Sequence, residues 1–175
     1  MLRAEYNQRG VTLVELMVIV SIISVLVVAL GFSYEGWIGN YKIESQTRQL
    51  YSDLMDARTR AITQNRMHFV VLNAGNYAVY ADTNDNTAAD PGAGDIPLPE
   101  FRDPGTLNVK PKNVEYTLGW TGTIPFNTRG LTTSAAEITI PLTLPSGTHP
   151  DYDCVLVHQS RIRTGLMTGG VCVSK

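Results

Sequence analysis

Between Val11 and Leu30 every residue is apolar except Thr12, Glu15, Ser21 and Ser24. Twenty residues rising about 1.5 Å each as a helix reach about 30 Å, the hydrocarbon thickness of a bilayer, so the run reads as a membrane segment. The stretch before it, MLRAEYNQRG, is polar and carries Arg3 and Arg9, which favours keeping the N-terminus on the cytoplasmic side. A secretory signal peptide is the generic alternative, and Ala29-Leu30-Gly31 offers it a cleavage site. Glu15 argues against that alternative: an ionisable group inside an apolar run costs up to a few kcal/mol and is normally there for a partner.

Composition narrows the function classes. With 14 Lys+Arg against 16 Asp+Glu the net charge is −2, which excludes a generally basic nucleic-acid protein or an acidic tail, so any DNA site must be local. Two cysteines cannot build a four-thiolate zinc site, and His68, His149 and His158 are too far apart for HExxH or triad spacing. No nucleophile, base and orienting group emerge together, so an enzyme is the least favoured class and no cofactor is expected. All nine prolines lie at or after Pro91, which leaves the first ninety residues without a helix breaker. The chain reads as a helical rod followed by a globule.

Beyond the membrane run the helical pattern continues to about Asn65. Ile43, Leu50 and Ala57 fall seven apart with Thr47, Leu54 and Ala61 between them, one buried stripe; Glu44, Arg48, Asp53, Asp56, Arg58 and Arg60 form the opposite, solvated face. Gly31, Gly36 and Gly39 interrupt the good helix formers. They mark either a place that bends or melts, at about 1 kcal/mol each relative to Ala, or one where helices approach closely.

The remainder reads as mostly antiparallel sheet, giving an α+β fold. Met67–Leu72 and Tyr77–Tyr80 flank a turn at Ala74-Gly75. Further strands are expected at Val114–Leu118, Ile138–Leu144, Cys154–Val157 and Ser160–Arg163, with Pro141 arguing for an edge or a bulge. Asp82, Asn84, Asn86 and Asp90 place oxygens at spaced positions, loosely like the opening of a calcium loop. Thr87 and Ala93 stand where such a loop has its glycine and its bidentate glutamate, and the alternative is a polar surface loop, variable or in contact with other subunits.

At Arg9-Gly10-Val11-Thr12-Leu13-Val14-Glu15 the chain resembles the class III signal of type IV pilins and pseudopilins. Leu50 to Arg66, with Leu54, Ala57-Arg58, Ala61-Ile62 and Arg66, resembles the corresponding segment of the GspH/FimT/FimU family of minor pilins and pseudopilins. The first resemblance implies that a prepilin peptidase cuts between Gly10 and Val11 and N-methylates Val11, although most relatives have Phe there. It also implies that Glu15 of one subunit neutralises the new α-amine of its neighbour, removing two charges that are expensive in lipid. The implied organisation is a leader at 1–10, a transmembrane and filament-core helix at 11–31, an amphipathic continuation at 32–66 and a β-rich domain at 67–175.

The resemblance further implies a non-enzymatic subunit held in the inner membrane before it joins other minor and major pilins in a filament of a Gram-negative bacterium. With the domain outside the cytoplasm, a Cys154–Cys172 disulfide is permitted and would contribute about 3 kcal/mol; two buried thiols are the alternative. Ser160-Arg161-Ile162-Arg163 is similar to the GRxR motif with which some natural-transformation relatives bind DNA, with Ser160 in place of the glycine. Arg161 and Arg163 alternate on a strand and can clamp phosphates, with Lys175 and Arg129 as further candidates. Three roles follow: a minor pilin priming assembly and connecting minor subunits near the tip to the shaft, a DNA-binding minor pilin, or a type II secretion pseudopilin.

Overall fold

A computed structural model describes residues 10–91, 94–134 and 136–175, and for residues 29–36 the backbone only. Most of the leader and Ala93 therefore lie outside the described residues. The chain falls into two compact units, Met1–Ile38 and Gly39–Lys175. Helix α1 (Leu13–Thr63) contributes to both and stays helical through Gly31, Gly36 and Gly39.

In the second unit the buried stripe of α1 is the one the spacing predicts: Ile43, Thr47, Leu50, Leu54, Ala57 and Ala61 are all 0% exposed. Burying each Leu or Ile contributes roughly 1.5–3 kcal/mol. The one polar member, Thr47, satisfies its hydroxyl by donating to the Ile43 carbonyl at 2.9 Å.

Two antiparallel sheets pack on this stripe. In the first, β1 (His68–Leu72) and β2 (Asn76–Ala81) form the expected hairpin, closed by the Asn73 N–H donating to the Asn76 carbonyl at 2.8 Å. β3 (Ile96–Pro97) and β4 (Lys112–Asn113) pair with opposite ends of β2, and β5 (Gly122–Phe126) pairs with β1. The second sheet runs in chain order through β6 (Ile138–Pro141), β7 (Cys154–Val157), β8 (Ile162–Thr168) and β9 (Val171–Ser174). Val70, Leu72, Ile124 and Phe126 from the first sheet meet Ile140, Val155 and Val157 from the second and the helix stripe in one core.

Several expectations are corrected. Val114–Leu118 is not a strand, because Gln46 of α1 takes over its backbone: Oε1 accepts the N–H groups of Glu115 and Tyr116 at 2.9 Å each, and Nε2 donates to the Tyr116 carbonyl at 2.7 Å. The alternating run that begins at Ile138 ends as a strand at Pro141, beyond which Leu142 forms only an isolated bridge with Leu118. β5 went unanticipated because Pro125 interrupts it; at the border of a sheet the missing N–H leaves no ladder bond unmade.

Asp53 does not sit on a solvated face either. Its side chain is 14% exposed, and Oδ2 accepts from the Tyr77 hydroxyl and from Lys112 Nζ, both at 2.5 Å. The helix thereby reaches β2 and β4 through one carboxylate. A Cβ at Gly39 would stand 2.8 Å from Thr148 Cγ2, in the loop between β6 and β7. The same loop is fastened by Asn40 Oδ1, which accepts the His149 N–H at 2.7 Å, and by Glu44 Oε1, which accepts the Asp151 N–H at 2.9 Å.

Candidate functional site

The start of α1 is built by the residues of the Val11–Glu15 stretch. Thr12 lies just outside the helix; its Oγ1 accepts the Glu15 N–H at 3.2 Å and its carbonyl accepts the Leu16 N–H at 3.2 Å. Thr12-Leu-Val-Glu15 thus has the S/T-x-x-E form of a capping box, with Thr12 satisfying an otherwise orphan donor and Glu15 standing in the first turn, where the helix field favours a carboxylate. The sequence pattern already contained this cap, which was legible only as part of a processing signal. A Cβ at Gly10 would meet none of the described residues within 4 Å.

From this cap onward the helix presents apolar side chains outward. Val11, Leu13, Val14, Met17 and Val25 are each more than 60% exposed, an amount of contiguous apolar surface that a soluble monomer does not leave uncovered. The polar residues in the run are self-satisfied: Ser21 and Ser24 donate to the Met17 and Val20 carbonyls, each at 2.7 Å, so neither hydroxyl needs water. Among the described residues no helix is long and apolar enough to cross a membrane. The side chains that would extend the run, at residues 29–36, lie outside the description.

The second candidate region is the C-terminal sheet. Cys154 and Cys172 form a disulfide with Cα atoms 6.2 Å apart. It ties β7 to β9 across the intervening β8, passing over Gly165, which pairs with Cys154 on one side and Ser174 on the other. A Cβ at Gly165 would lie 2.9 Å from Cys172 Sγ and 2.5 Å from the Val173 carbonyl oxygen.

Arg161 ends the tight β7–β8 turn, its carbonyl accepting the His158 N–H at 2.8 Å, and Arg163 follows in β8. Both are exposed and flank buried Ile162, so they share a face as the alternation predicts. Arg163 makes a long contact to Ser174 Oγ at 3.5 Å. Lys175 does not join them; it pairs with Asp151 at 3.1 Å. Arg129 sits in the separate Asn127–Gly130 turn.

The three histidines also stay apart in their contacts: His68 is buried in β1, His149 meets the start of the second unit's helix, and His158 pairs with Glu137 at 3.0 Å. Among the described residues no group of three or more His, Cys, Asp or Glu side chains could hold a metal ion. Asn84 and Asn86 donate to Asp90, while Asp82 is buried at the end of β2.

The comparisons with known proteins agree with this anatomy. The family model described as "Type II transport protein GspH" matches residues 46–160, and the prokaryotic N-terminal methylation motif matches residues 6–31. No curated protein and no solved structure matches the chain. The GspH match runs from Gln46, which holds the 114–118 segment, through the first sheet and strands β6 and β7 of the second to the β7–β8 turn, and the methylation motif covers Gly10, the Thr12 cap and the outward apolar side chains. With more than half of its 175 residues matched by one family model, the chain belongs to the GspH family, as a pilin-like structural subunit of the type II secretion and type IV pilus class.

Proposed function

We propose that the chain is a minor pilin of a type IV pilus, stored in the inner membrane after cleavage between Gly10 and Val11 and inserted near the filament tip, where it primes assembly and connects other minor subunits to the shaft. The observation that carries this reading is the start of α1: a capped helix end with an exposed carboxylate at Glu15, followed by outward apolar side chains. Burying such a surface among like helices removes it from lipid without exposing it to water, and a neighbour's α-amine gives Glu15 its counter-charge. Gly10 supports the cleavage site, since it lies within the stretch that the N-terminal methylation motif matches. The leader at 1–10, the filament-core helix at 11–31, its continuation at 32–66 and the β-domain at 67–175 are the parts of this subunit, and no catalytic role is assigned to any of them.

Intact-mass analysis of the protein from sheared surface filaments, in cells with and without a prepilin peptidase, tests the proposal. Loss of the first ten residues, one added methyl group, and failure of Glu15→Ala to enter filaments are the expected results. An uncleaved chain in peptidase-positive cells, or cleavage after Gly31, overturns it. A deletion that abolishes protein secretion while leaving pili intact favours the type II secretion pseudopilin instead.

The exposed pair Arg161 and Arg163, neither in an ion pair among the described residues, supports a second reading as a DNA-binding minor pilin. Replacing both by alanine then abolishes DNA retention while piliation persists; unchanged DNA retention overturns that reading.

A further inference from the structure

One border of the second sheet differs from the others. β3, β5 and β6 each contain a proline, and β4 is two residues long with Pro111 directly before it. β9 contains no proline, ends the order of its sheet, and among the described residues pairs with β8 alone. Proline is a usual device that keeps an edge from recruiting another strand, and this edge is without it.

The phase of its hydrogen bonds follows from the turn. Gly169 and Gly170, with φ of 61° and 84°, close a two-residue hairpin between Thr168 and Val171. Such a turn makes Thr168–Val171 a hydrogen-bonded pair, with further bonded pairs at every second residue. The Lys175 N–H, which donates to the Thr164 carbonyl at 3.2 Å, falls in this phase. Val171, Val173 and Lys175 therefore turn their backbone groups toward β8, and the N–H and C=O groups of Cys172 and Ser174 point away from the sheet.

The side chains alternate as well. Cys172 is held on one face by its disulfide, while Val171 and Val173 stand on the other, 64% and 52% exposed. Val173 pairs with Leu166, which shares a face with the core residue Ile162. The two valines thus continue the core face of the sheet to an uncovered end.

We propose that β9 is a docking edge for an extended strand of a different pilin-type subunit, one with no proline at the paired positions and with apolar side chains beside Val171 and Val173. Backbone bonds to Cys172 and Ser174 supply the attachment, and the valines select the face. This inference rests on the minor-pilin reading. A second copy of the chain does not fit. Its proline-bearing borders offer no complementary edge, and a parallel pairing of β9 with β9 puts the valines of the two copies on opposite faces. Antiparallel self-pairing about a two-fold axis normal to the sheet reverses the helix that lies along it, although under that reading both helices lead into the same membrane. The edge therefore joins unlike subunits and does not propagate copies of itself.

The test uses the full chain in filaments sheared from cells, with Lys175 replaced by a diazirine-bearing lysine analogue whose side chain stands on the valine face. After irradiation, the joined peptides are identified by mass. We expect a cross-link to an extended segment of a different pilin-type subunit. Ser174→Pro removes an outward N–H without touching the β8 ladder and lowers the yield at least about tenfold, whereas Ser174→Ala keeps that N–H and stays within about twofold. Val173→Asp changes only an exposed side chain and lowers the yield by a similar factor. A chain present in filaments that cross-links only to its own copies, to no subunit, or undiminished in both Ser174→Pro and Val173→Asp overturns the docking edge alone. A chain absent from filaments overturns the minor-pilin reading and the edge with it.

Discussion

The phenol of Tyr77 donates to Asp53 Oδ2 at 2.5 Å, reaching from β2 to the helix. Burial first, and then the hydrogen bond to Asp53 and its charge, push the Tyr77 pKa far above the ordinary tyrosine value, so the donor keeps its proton at any working pH. Lys112 shares the same oxygen but is 34% exposed, so solvent screening leaves its ion pair worth less than about 1 kcal/mol. Urea denaturation of the full chain in detergent should rank the variants accordingly. Asp53→Ala costs about 3 kcal/mol by orphaning a buried phenol, Tyr77→Phe costs about 1.5 kcal/mol, and Lys112→Met costs least. A larger loss for Lys112→Met than for Tyr77→Phe would show that the ion pair, not the phenol, fastens the helix.

Gly165 and the disulfide predict each other. Gly165→Ala forces a methyl group against Cys172 Sγ and the Val173 carbonyl, costing about 1–3 kcal/mol, and removing both cysteines costs about 3 kcal/mol. Combined with Cys154→Ala and Cys172→Ala, the Gly165→Ala cost should shrink without vanishing, because the sulfur leaves and the carbonyl stays. Full additivity in the same denaturation series would mean that the crossing sulfur does not impose the glycine.

Gln46 substitutes for a ladder. Gln46→Leu removes its bonds to the Glu115 and Tyr116 N–H groups and to the Tyr116 carbonyl, and should cost about 1.5–3 kcal/mol. Hydrogen exchange gives the sharper readout: residues 114–118 speed up in the variant, whereas β1 and β2 do not. Uniform acceleration across the sheet would point to global loosening instead.

His68 makes the globular unit sensitive to mild acid. It is fully buried, Nδ1 meets the Arg66 carbonyl at 3.1 Å, and Nε2 has no partner among the described residues. Burial is the main cause that lowers its pKa below 6.5, with smaller lowering by Arg60 and Arg66. Because the folded pKa is depressed, the unfolded chain binds the proton more readily; this contribution is present above about pH 6.5 and is lost as pH falls through the folded value. Between pH 7.5 and 5.5 (~1.4 kcal/mol per pH unit at most) the wild type should lose more stability than His68→Gln. Parallel pH curves for the two proteins would refute the assignment.

How much of this could be read from the chain depends on range. The helix stripe from Ile43 to Ala61 and the hairpin around Ala74-Gly75 follow from local periodicity and turn chemistry, and they stand where the pattern puts them. Val114–Leu118 fails because its hydrogen bonds go to Gln46, about seventy residues away in sequence, a competitor that no local window contains. Asp53 fails for a similar reason, since a carboxylate on the helix flank looks solvated until Tyr77 and Lys112 arrive. At the candidate sites, Gly10, Glu15 and the arginine pair were visible as motif letters. The capping role of Thr12 and the crossing at Gly165 required coordinates.

The prolines at the sheet borders carry one more consequence. Pro97 in β3, Pro125 in β5 and Pro141 in β6 lie on strands that end the order of their sheets, and each lacks the N–H that an added strand would use. A subunit crowded among its relatives runs a standing risk of uncontrolled edge-to-edge zippering into amyloid-like stacks. These imino residues blunt three of its borders and leave recognition there to side chains, so polymerisation can proceed through chosen surfaces rather than through whichever backbone happens to be bare.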